Sequence, residues 1–226
     1  MQMAGTKWDI IGPEIKDDMF YNIIVNIVHD NDIRTILEIG ASAGDGSTEA
    51  FMKGKAGKDC KLFSIEVCTE RFNVLQARYS DDPNFFPYNV SSVGLDKFPP
   101  PSEVVHFMRS TPLSTLAQWP VDTVLGWLQK DIDYVVANRI TENGIQLIKT
   151  IHNIKTFDCV LIDGSEFTGR PELDEVYGAR IIMLDDIRAY KNWVNHNRLL
   201  GDPAYVLILQ NNMLRNGFSI FQRVHS

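Results

Sequence analysis

The chain has 226 residues, of which 44% are hydrophobic and 23% are charged, and its net charge is −7 at pH 7. This length suits one folded domain with a substantial core. The acidic balance argues against nucleic acid or an anionic membrane surface as the partner, because both attract clustered lysine and arginine. No apolar run approaches the roughly 20 residues that span a bilayer, and the N-terminus lacks the apolar core of a signal peptide.

The three cysteines are scattered along the chain and odd in number. They show no metal-binding spacing, and they favour a reducing compartment, so we expect a cytoplasmic protein.

Helices and strands alternate in the first part of the chain. The predicted elements are a helix over about 14–29 with Pro13 in its first turn, a strand over 35–39, a helix to about 53, a strand over 61–66, a helix that Thr69 caps, and a strand over 85–90. This β-α-β-α-β series with short connections predicts a parallel, doubly wound sheet.

The second part adds an interruption and a different ending. Prolines and aromatic residues over 93–120 predict an insertion or lid, and further elements follow as helices over 121–136 and around 145–151, a strand over 157–163, a helix over 173–176, a strand over 179–184, and strands over 205–209 and 218–221. No helix fits between the last two strands, which are therefore expected to pair antiparallel. The fold class predicted is α/β: a doubly wound, Rossmann-like, seven-stranded sheet, mostly parallel with an antiparallel C-terminal hairpin strand. It forms a single domain over 1–226, with a lid or acceptor insertion at about 93–136.

A glycine-rich turn follows the first strand, and we call residues 40–46 the glycine loop. Glu38 precedes it, and Ser47 and Thr48 begin the next helix. Glycine allows a sharp turn and a close ligand approach, while a helix N-terminus offers unpaired N–H groups. An acid beside such a turn disfavours a triphosphate, so we interpret the loop as binding S-adenosylmethionine. Glu66, after the next strand, is placed to accept hydrogen bonds from a ribose.

Acids follow four predicted strands, as Glu38, Glu66, Asp163 and the pair Asp185-Asp186. Ligands of doubly wound sheets bind beyond the carboxyl ends of the strands. Carboxylates crowded at that edge need a cation or hydrogen-bond donors to offset their repulsion. An NAD-dependent oxidoreductase is an alternative, although the glycine loop does not match G-x-G-x-x-G.

Taken together, the glycine loop, the acids after the strands and the terminal hairpin resemble the class I S-adenosylmethionine-dependent methyltransferases. The resemblance implies cofactor contacts at Glu38, Gly40, Ala41, Ser42, Gly44, Ser47, Thr48, Glu66, Asn89, Val90 and Asp163.

Within that family the chain is similar to the metal-dependent O-methyltransferases of the catechol and sugar-hydroxyl types. Their acids after the fourth and fifth strands bind Mg²⁺, and the matching residues here are Asp163, Asp185 and Asp186. Such an ion would hold an acceptor hydroxyl and lower its pKa. The chain departs from both types after Asp163, since Glu166 stands where the catechol type has its lysine base. The candidate catalytic residues are Asp163, Glu166 and His196.

The sequence therefore predicts a methyltransferase that moves a methyl group from S-adenosylmethionine to a hydroxyl oxygen of a small molecule, such as a sugar or glycoconjugate, with the help of Mg²⁺. A metal-independent methyltransferase of the same fold and a non-catalytic binding module are further alternatives. The expected partner is the small-molecule hydroxyl acceptor, with no nucleic acid and no membrane. Apolar surface on the insertion is compatible with a homo-oligomer.

Overall fold

The computed structural model describes residues 14–224. Its helices are α1 (Met19–Asp30), α2 (Ser47–Gly54), α3 (Thr69–Arg78), α4 (Pro101–Ser110), α5 (Val121–Ala137), α6 (Gly144–His152), α7 (Gly169–Val176) and α8 (Tyr190–Leu200). Its strands are β1 (Thr35–Ile39), β2 (Lys61–Ile65), β3 (Phe85–Tyr88), β4 (Cys159–Ile162), β5 (Ile181–Asp185), β6 (Tyr205–Asn211) and β7 (Phe218–Arg223). No helix within residues 14–224 is both long enough and apolar enough to cross a membrane.

The strands form one sheet in the order β3-β2-β1-β4-β5-β7-β6. The first five pair in parallel, whereas β7 runs antiparallel to both β5 and β6. The order reverses between β1 and β4, which creates the crevice where ligands of such sheets bind. The predicted fold class is confirmed, including the antiparallel C-terminal hairpin.

Alternate side chains along each strand point to opposite faces of the sheet, and both faces are covered by helices. Ile36 of β1 packs with Phe20 and Phe51 on the face that α1 and α2 cover. Leu37, the next residue, packs with Ile148 and Leu173 on the face that α6 and α7 cover. Burial on both faces explains why the central strands are continuous apolar runs.

Several predicted boundaries differ from the structure for identifiable reasons. Helix α1 begins at Met19 rather than near residue 14, because the Asp18 side chain accepts from the Tyr21 backbone N–H at 2.8 Å and caps the helix there. Pro13, predicted in the first turn, lies outside the described residues. Two helices were not predicted from the sequence. They are α4, which begins at Pro101, and α8, which carries part of the site described below.

Candidate functional site

The glycine loop is held between the ends of β2 and β4. Gly40 has φ +90°, and its N–H donates to the Ile65 carbonyl at 3.0 Å. A Cβ built on Gly40 would lie 2.1 Å from the Asp163 carbonyl oxygen, so the loop approaches β4 more closely than any side chain allows. On the other side, the Ser42 N–H donates to the Glu66 carboxylate at 2.7 Å. The loop therefore joins the first, second and fourth strand ends into one surface.

Glu38 supports this loop from inside the protein. Its fully buried carboxylate accepts from Ser47 Oγ at 2.6 Å, Thr48 Oγ1 at 2.9 Å and Ser64 Oγ at 2.6 Å. Burial raises the pKa of Glu38, and the three hydroxyls oppose that rise. Glu38, Ser47 and Thr48 thus satisfy one another beneath the loop and lie outside the cavity wall, contrary to their predicted contact with the cofactor.

A cavity of about 420 Å³ opens at the carboxyl edge of the sheet. The sheet side contributes Gly40, Ser42, Glu66, Val90 and Asp163, which are five of the predicted cofactor residues. The opposite wall comes from one face of α5, namely Trp127, Asp131, Tyr134 and Val135. The cavity is therefore enclosed between the sheet edge and the helix that follows the proline-rich segment.

Three other predicted cofactor residues do not line this cavity. Ala41 is buried. Gly44 lies against α3, and its carbonyl accepts from the Tyr79 hydroxyl. The Asn89 side chain is hydrogen-bonded to the backbone. The Asn89 amide donates to the Glu66 and Val67 carbonyls, both at 2.9 Å, and its oxygen accepts from Thr69 Oγ1. These interactions fix the shape of the segment after β2, so the role of Asn89 in the structure is to position Glu66.

Glu66 keeps capacity for a ligand although both its oxygens already accept backbone N–H groups. Oε2 accepts from Ser42 and Oε1 accepts from Cys68 at 2.8 Å. Each carboxylate oxygen has two lone pairs, so each oxygen can accept one hydrogen bond more than its backbone contact. Burial raises the pKa of Glu66.

Asp163, Asp185 and Asp186 come together at the ends of β4 and β5, and we call them the acid cluster. One carboxylate oxygen from each lies within 4.8 Å of the others. Asp186 has φ +54°, an uncommon conformation for an aspartate, and its Oδ1 accepts from the Asn216 amide at 3.0 Å. The sequence prediction that these three acids converge is therefore correct in geometry.

Two cations that were not predicted lie against the acid cluster. Lys191 Nζ is 2.8 Å from both Asp163 Oδ1 and Asp186 Oδ2, and Arg215 Nη2 is 2.8 Å from Asp185 Oδ1. Burial disfavours the Lys191 ammonium, but the three carboxylates outweigh burial and hold its pKa above the usual range. Burial also raises the pKa of Asp185 to about 6, a rise that the Asp186 charge increases and Arg215 opposes.

These contacts bear on whether the acid cluster suits Mg²⁺. Three carboxylates are the right donor type, and Asp185 Oδ2 is buried without a partner, which favours an ion. Against it, Lys191 already takes one oxygen from each of Asp163 and Asp186. In this arrangement the residues do not fit a metal ion unless the lysine moves away. The metal site at Asp163, Asp185 and Asp186 stays a prediction that the geometry does not favour.

The two candidate bases occupy different environments. Glu166 lines the cavity, its Oε1 accepts from the Tyr190 N–H at 2.7 Å, and burial raises its pKa to about 7. His196 is not brought to the cavity. It is buried against Phe221, its Nδ1 is 3.0 Å from Ser219 Oγ, and burial lowers its pKa. The structure therefore favours Glu166 over His196.

Similarity to solved structures identifies the fold. The O-methyltransferase from Bacillus cereus in complex with SAH (S-adenosylhomocysteine) has a TM-score of 0.58 at 12% identity, covering 94% of this chain and 84% of that chain. The SAH-bound methyltransferase of Podospora anserina gives 0.54 at 12% identity, covering 94% and 81%. A methyltransferase from Geobacter sulfurreducens gives 0.54 at 9% identity, again covering 94% and 81%. No family model and no curated protein matches the sequence. The similarity is therefore one of fold, the Rossmann-like fold of these methyltransferases.

Proposed function

We propose that the protein is an S-adenosylmethionine-dependent methyltransferase that acts on a hydroxyl oxygen of a small molecule. The observation that carries the proposal is the cavity in which the glycine loop, Glu66 and Asp163 face one side of α5. Further support comes from the fold, which two solved methyltransferases named as SAH complexes share.

In this proposal the donor lies along the ends of β1, β2 and β3. Glu66 accepts hydrogen bonds from the ribose hydroxyls, and Val90 packs against the base. The glycine loop at Gly40 and Ser42 holds the methionine part. The sulfonium carries a positive charge, and the carboxylates that line the cavity favour a cation there. A pyrophosphate would meet the same carboxylates unfavourably, which is a reason to prefer this cofactor over NAD.

The acceptor would enter beside Asp163, Glu166 and Lys191. Its hydroxyl oxygen attacks the methyl carbon, the new O–CH₃ bond forms as the S–CH₃ bond breaks, and the hydroxyl proton passes to the Glu166 carboxylate. The products are the methyl ether, S-adenosylhomocysteine and protonated Glu166. A base with a pKa of about 7 is matched to this task at neutral pH.

The acceptor class is inferred from the remaining wall. Trp127 lines the cavity and packs edge-on against Trp119, with ring centroids 5.3 Å apart. Asp131 lies one helical turn beyond Trp127 and accepts from Ser165 Oγ at 2.6 Å. An indole face beside carboxylates suits a compound with an apolar face and several hydroxyls, such as a sugar.

We also propose that residues 93–136 act as the lid over the acceptor. Support comes from two contacts that fasten α4 to the site. Glu103 pairs with Arg170 at 3.6 Å and accepts from the Tyr190 hydroxyl at 3.2 Å. Closing such a segment over the acceptor would exclude water from the transfer.

Calorimetry with S-adenosylhomocysteine and with NAD tests the cofactor. We expect S-adenosylhomocysteine to bind the wild type, and Glu66→Gln to bind it about tenfold more weakly, since one charge-assisted hydrogen bond contributes about 1.5 kcal/mol or more. The exposed variant Glu142→Gln is the matched control and should bind like the wild type. Binding of NAD without S-adenosylhomocysteine would refute the proposal.

Transfer of a labelled methyl group from S-adenosylmethionine to panels of sugars, catechols and amines tests the acceptor. Label in an ether product supports transfer to oxygen. Label found only in amines refutes it. Cofactor binding without transfer to any panel would favour a binding module.

A further inference from the structure

We infer that Lys191 is a built-in cation that takes the place of a divalent metal ion and donates a hydrogen bond to the acceptor oxygen during methyl transfer. This inference rests on the proposed function, because the acceptor oxygen belongs to that reaction. The three acids that meet at this point then find counter-charge within the chain itself, and four observations support this.

The first observation is position. The Lys191 side chain is 5% exposed, and Nζ bridges Asp163 Oδ1 and Asp186 Oδ2 at 2.8 Å each. A Mg²⁺ ion bound to the same two oxygens at about 2.1 Å would need the space that the ammonium fills. The lysine and a shared ion therefore exclude each other at this point.

The second observation is charge. Three carboxylates carry a formal charge of −3, and Lys191 with Arg215 supplies +2, the same charge as one divalent ion. Arg215 is itself held by a second contact, to Asp18, and its side chain is 15% exposed. Both cations come from the chain and supply positive charge of the kind that a divalent ion would bring, with Arg215 shared between Asp185 and Asp18.

The third observation is how tightly the lysine is placed. Lys191 lies in the first turn of α8, and a Cβ on Gly169 would sit 2.0 Å from its carbonyl oxygen. Asn195 donates to the Gly169 carbonyl at 2.7 Å, and Glu166 accepts from the N–H of Tyr190. The backbone on which Lys191 stands is thus fixed by close contact with α7 and by the Glu166 side chain.

The fourth observation is an available donor. An ammonium has three N–H groups, and two of them face Asp163 and Asp186. Within residues 14–224, the one further acceptor near Nζ is the Gly164 carbonyl at 3.5 Å, the limit of a hydrogen bond. Lys191 also lines the cavity, so its third N–H can turn to an acceptor oxygen and stabilise the negative charge that develops there.

Titration with Mn²⁺ tests the inference without any acceptor. The protein is first treated with EDTA to remove bound metal and is then exchanged into EDTA-free buffer. We expect no saturable Mn²⁺ binding to the wild type. Lys191→Met keeps the length of the side chain and removes its charge, and we expect it to bind one Mn²⁺ per chain. The gain in affinity should be about tenfold or more, because occupancy by the lysine reduces the fraction of molecules in which the acid cluster is accessible.

Two controls locate the effect. Lys55→Met removes another buried lysine, 4% exposed and paired with Asp82 at 2.7 Å, and should gain no Mn²⁺ site. Adding Asp185→Asn to Lys191→Met should abolish the gained binding. If Lys191→Met does not fold, Lys191→Gln is titrated in its place, and the same gain of one Mn²⁺ site is expected.

One Mn²⁺ per wild-type chain, lost in Asp185→Asn, would overturn the inference, because the lysine would then yield to the ion. Equal gains in Lys191→Met and Lys55→Met would overturn it as well. Binding of S-adenosylhomocysteine, measured on the same samples, reports separately on the proposed function. A protein that binds neither the nucleoside nor Mn²⁺ would contradict the function while leaving the lysine in its place.

Discussion

A single buried acid, Glu38, and the acid cluster lie side by side at one edge of the sheet, and the protein stabilises them in opposite ways. Glu38, at the end of β1, is surrounded by the hydroxyls of Ser47, Thr48 and Ser64 and has no cation in direct contact among the described residues. The acid cluster, at the ends of β4 and β5, is paired with Lys191 and Arg215. Neutral donors suffice for one carboxylate, whereas three carboxylates within 4.8 Å require positive charge.

The two sets of acids also differ in whether their partners reach the cavity. The hydroxyls around Glu38 use its oxygens inside the protein, beneath the glycine loop. The cations of the acid cluster reach the cavity wall at Lys191 and can interact with whatever binds there. Variants that exchange or remove these partners should therefore have effects that differ in size and in kind.

The largest expected effect comes from the cationic side. Arg215→Ala would leave Asp185, which is 1% exposed, as a buried carboxylate without its partner. Breaking a buried ion pair in this way costs about 3 to 5 kcal/mol of unfolding free energy. Urea denaturation measures the loss. Arg198→Ala removes a pair to Asp174 whose side chains are 41% and 58% exposed, and should cost less than about 1 kcal/mol. Equal losses in the two variants would mean that burial does not set the strength of these pairs.

A second variant disturbs the close contact between the glycine loop and the end of β4. Gly40→Ala would place a Cβ 2.1 Å from the Asp163 carbonyl at φ +90°, so we expect a loss of about 3 kcal/mol from strain and displaced backbone. Gly57→Ala has a similar φ of +75° with no atom within 4 Å, and should cost only about 1 kcal/mol. Binding of S-adenosylhomocysteine should fall in the first variant alone. Similar losses of stability in both would show that the close approach to β4 is unimportant.

The position of the glycine loop at the sheet edge was predictable from sequence because its parts are close in the chain, whereas only five of the eleven predicted cofactor residues line the cavity. The glycine loop, Glu38 and the first turn of α2 fall within residues 38–48, and acids marked the ends of four strands. Parallel strands bring their carboxyl ends together, so the convergence of Asp163 with Asp185 and Asp186 followed from the order of the strands.

The cationic side was not predictable in the same way. Helix α8 buries Lys191, Asn192, Asn195 and His196, so its inner face is mostly polar and shows little of the apolar period that marks a helix. The buried residues from Lys191 to Leu199 do recur at helical spacing. Most of them are polar, however, and the partners that explain their burial are seen only in the structure. Arg215 lies in the hairpin turn at φ +51°. Its sequence context predicts the turn but does not indicate that its side chain pairs with Asp185.

A third variant tests the neutral side. Glu38→Gln keeps the shape of the side chain but turns one acceptor oxygen into a donor facing hydroxyl groups. At least one buried hydroxyl then loses its partner, and we expect a loss of about 2 kcal/mol in urea denaturation. Glu49→Gln, at a half-buried carboxylate on α2 that accepts from the Tyr21 hydroxyl, is the control and should lose less than half as much. An unchanged stability in Glu38→Gln would indicate that Glu38 is already protonated in the folded protein.

The smallest effect concerns Glu166, which accepts from no hydroxyl and forms no ion pair within residues 14–224. Its carboxylate accepts instead from the backbone N–H groups of Tyr190 and Lys191. Its pKa rises from an ordinary 4.5 to about 7 in the folded protein, so the folded state binds a proton more tightly than the unfolded chain. The contribution of Glu166 to stability is then largest below pH 4.5, falls as the pH rises toward 7, and changes no further above that value. Glu166→Gln removes this fall, so its stability relative to the wild type should increase by about 1 kcal/mol between pH 5.5 and pH 8, a value reduced because the carboxylate faces an open cavity. Urea denaturation at both pH values measures it, with the exposed Glu142→Gln as a control that should show no such change. A relative stability of Glu166→Gln that is independent of pH would assign the proton to another group and remove Glu166 as the base.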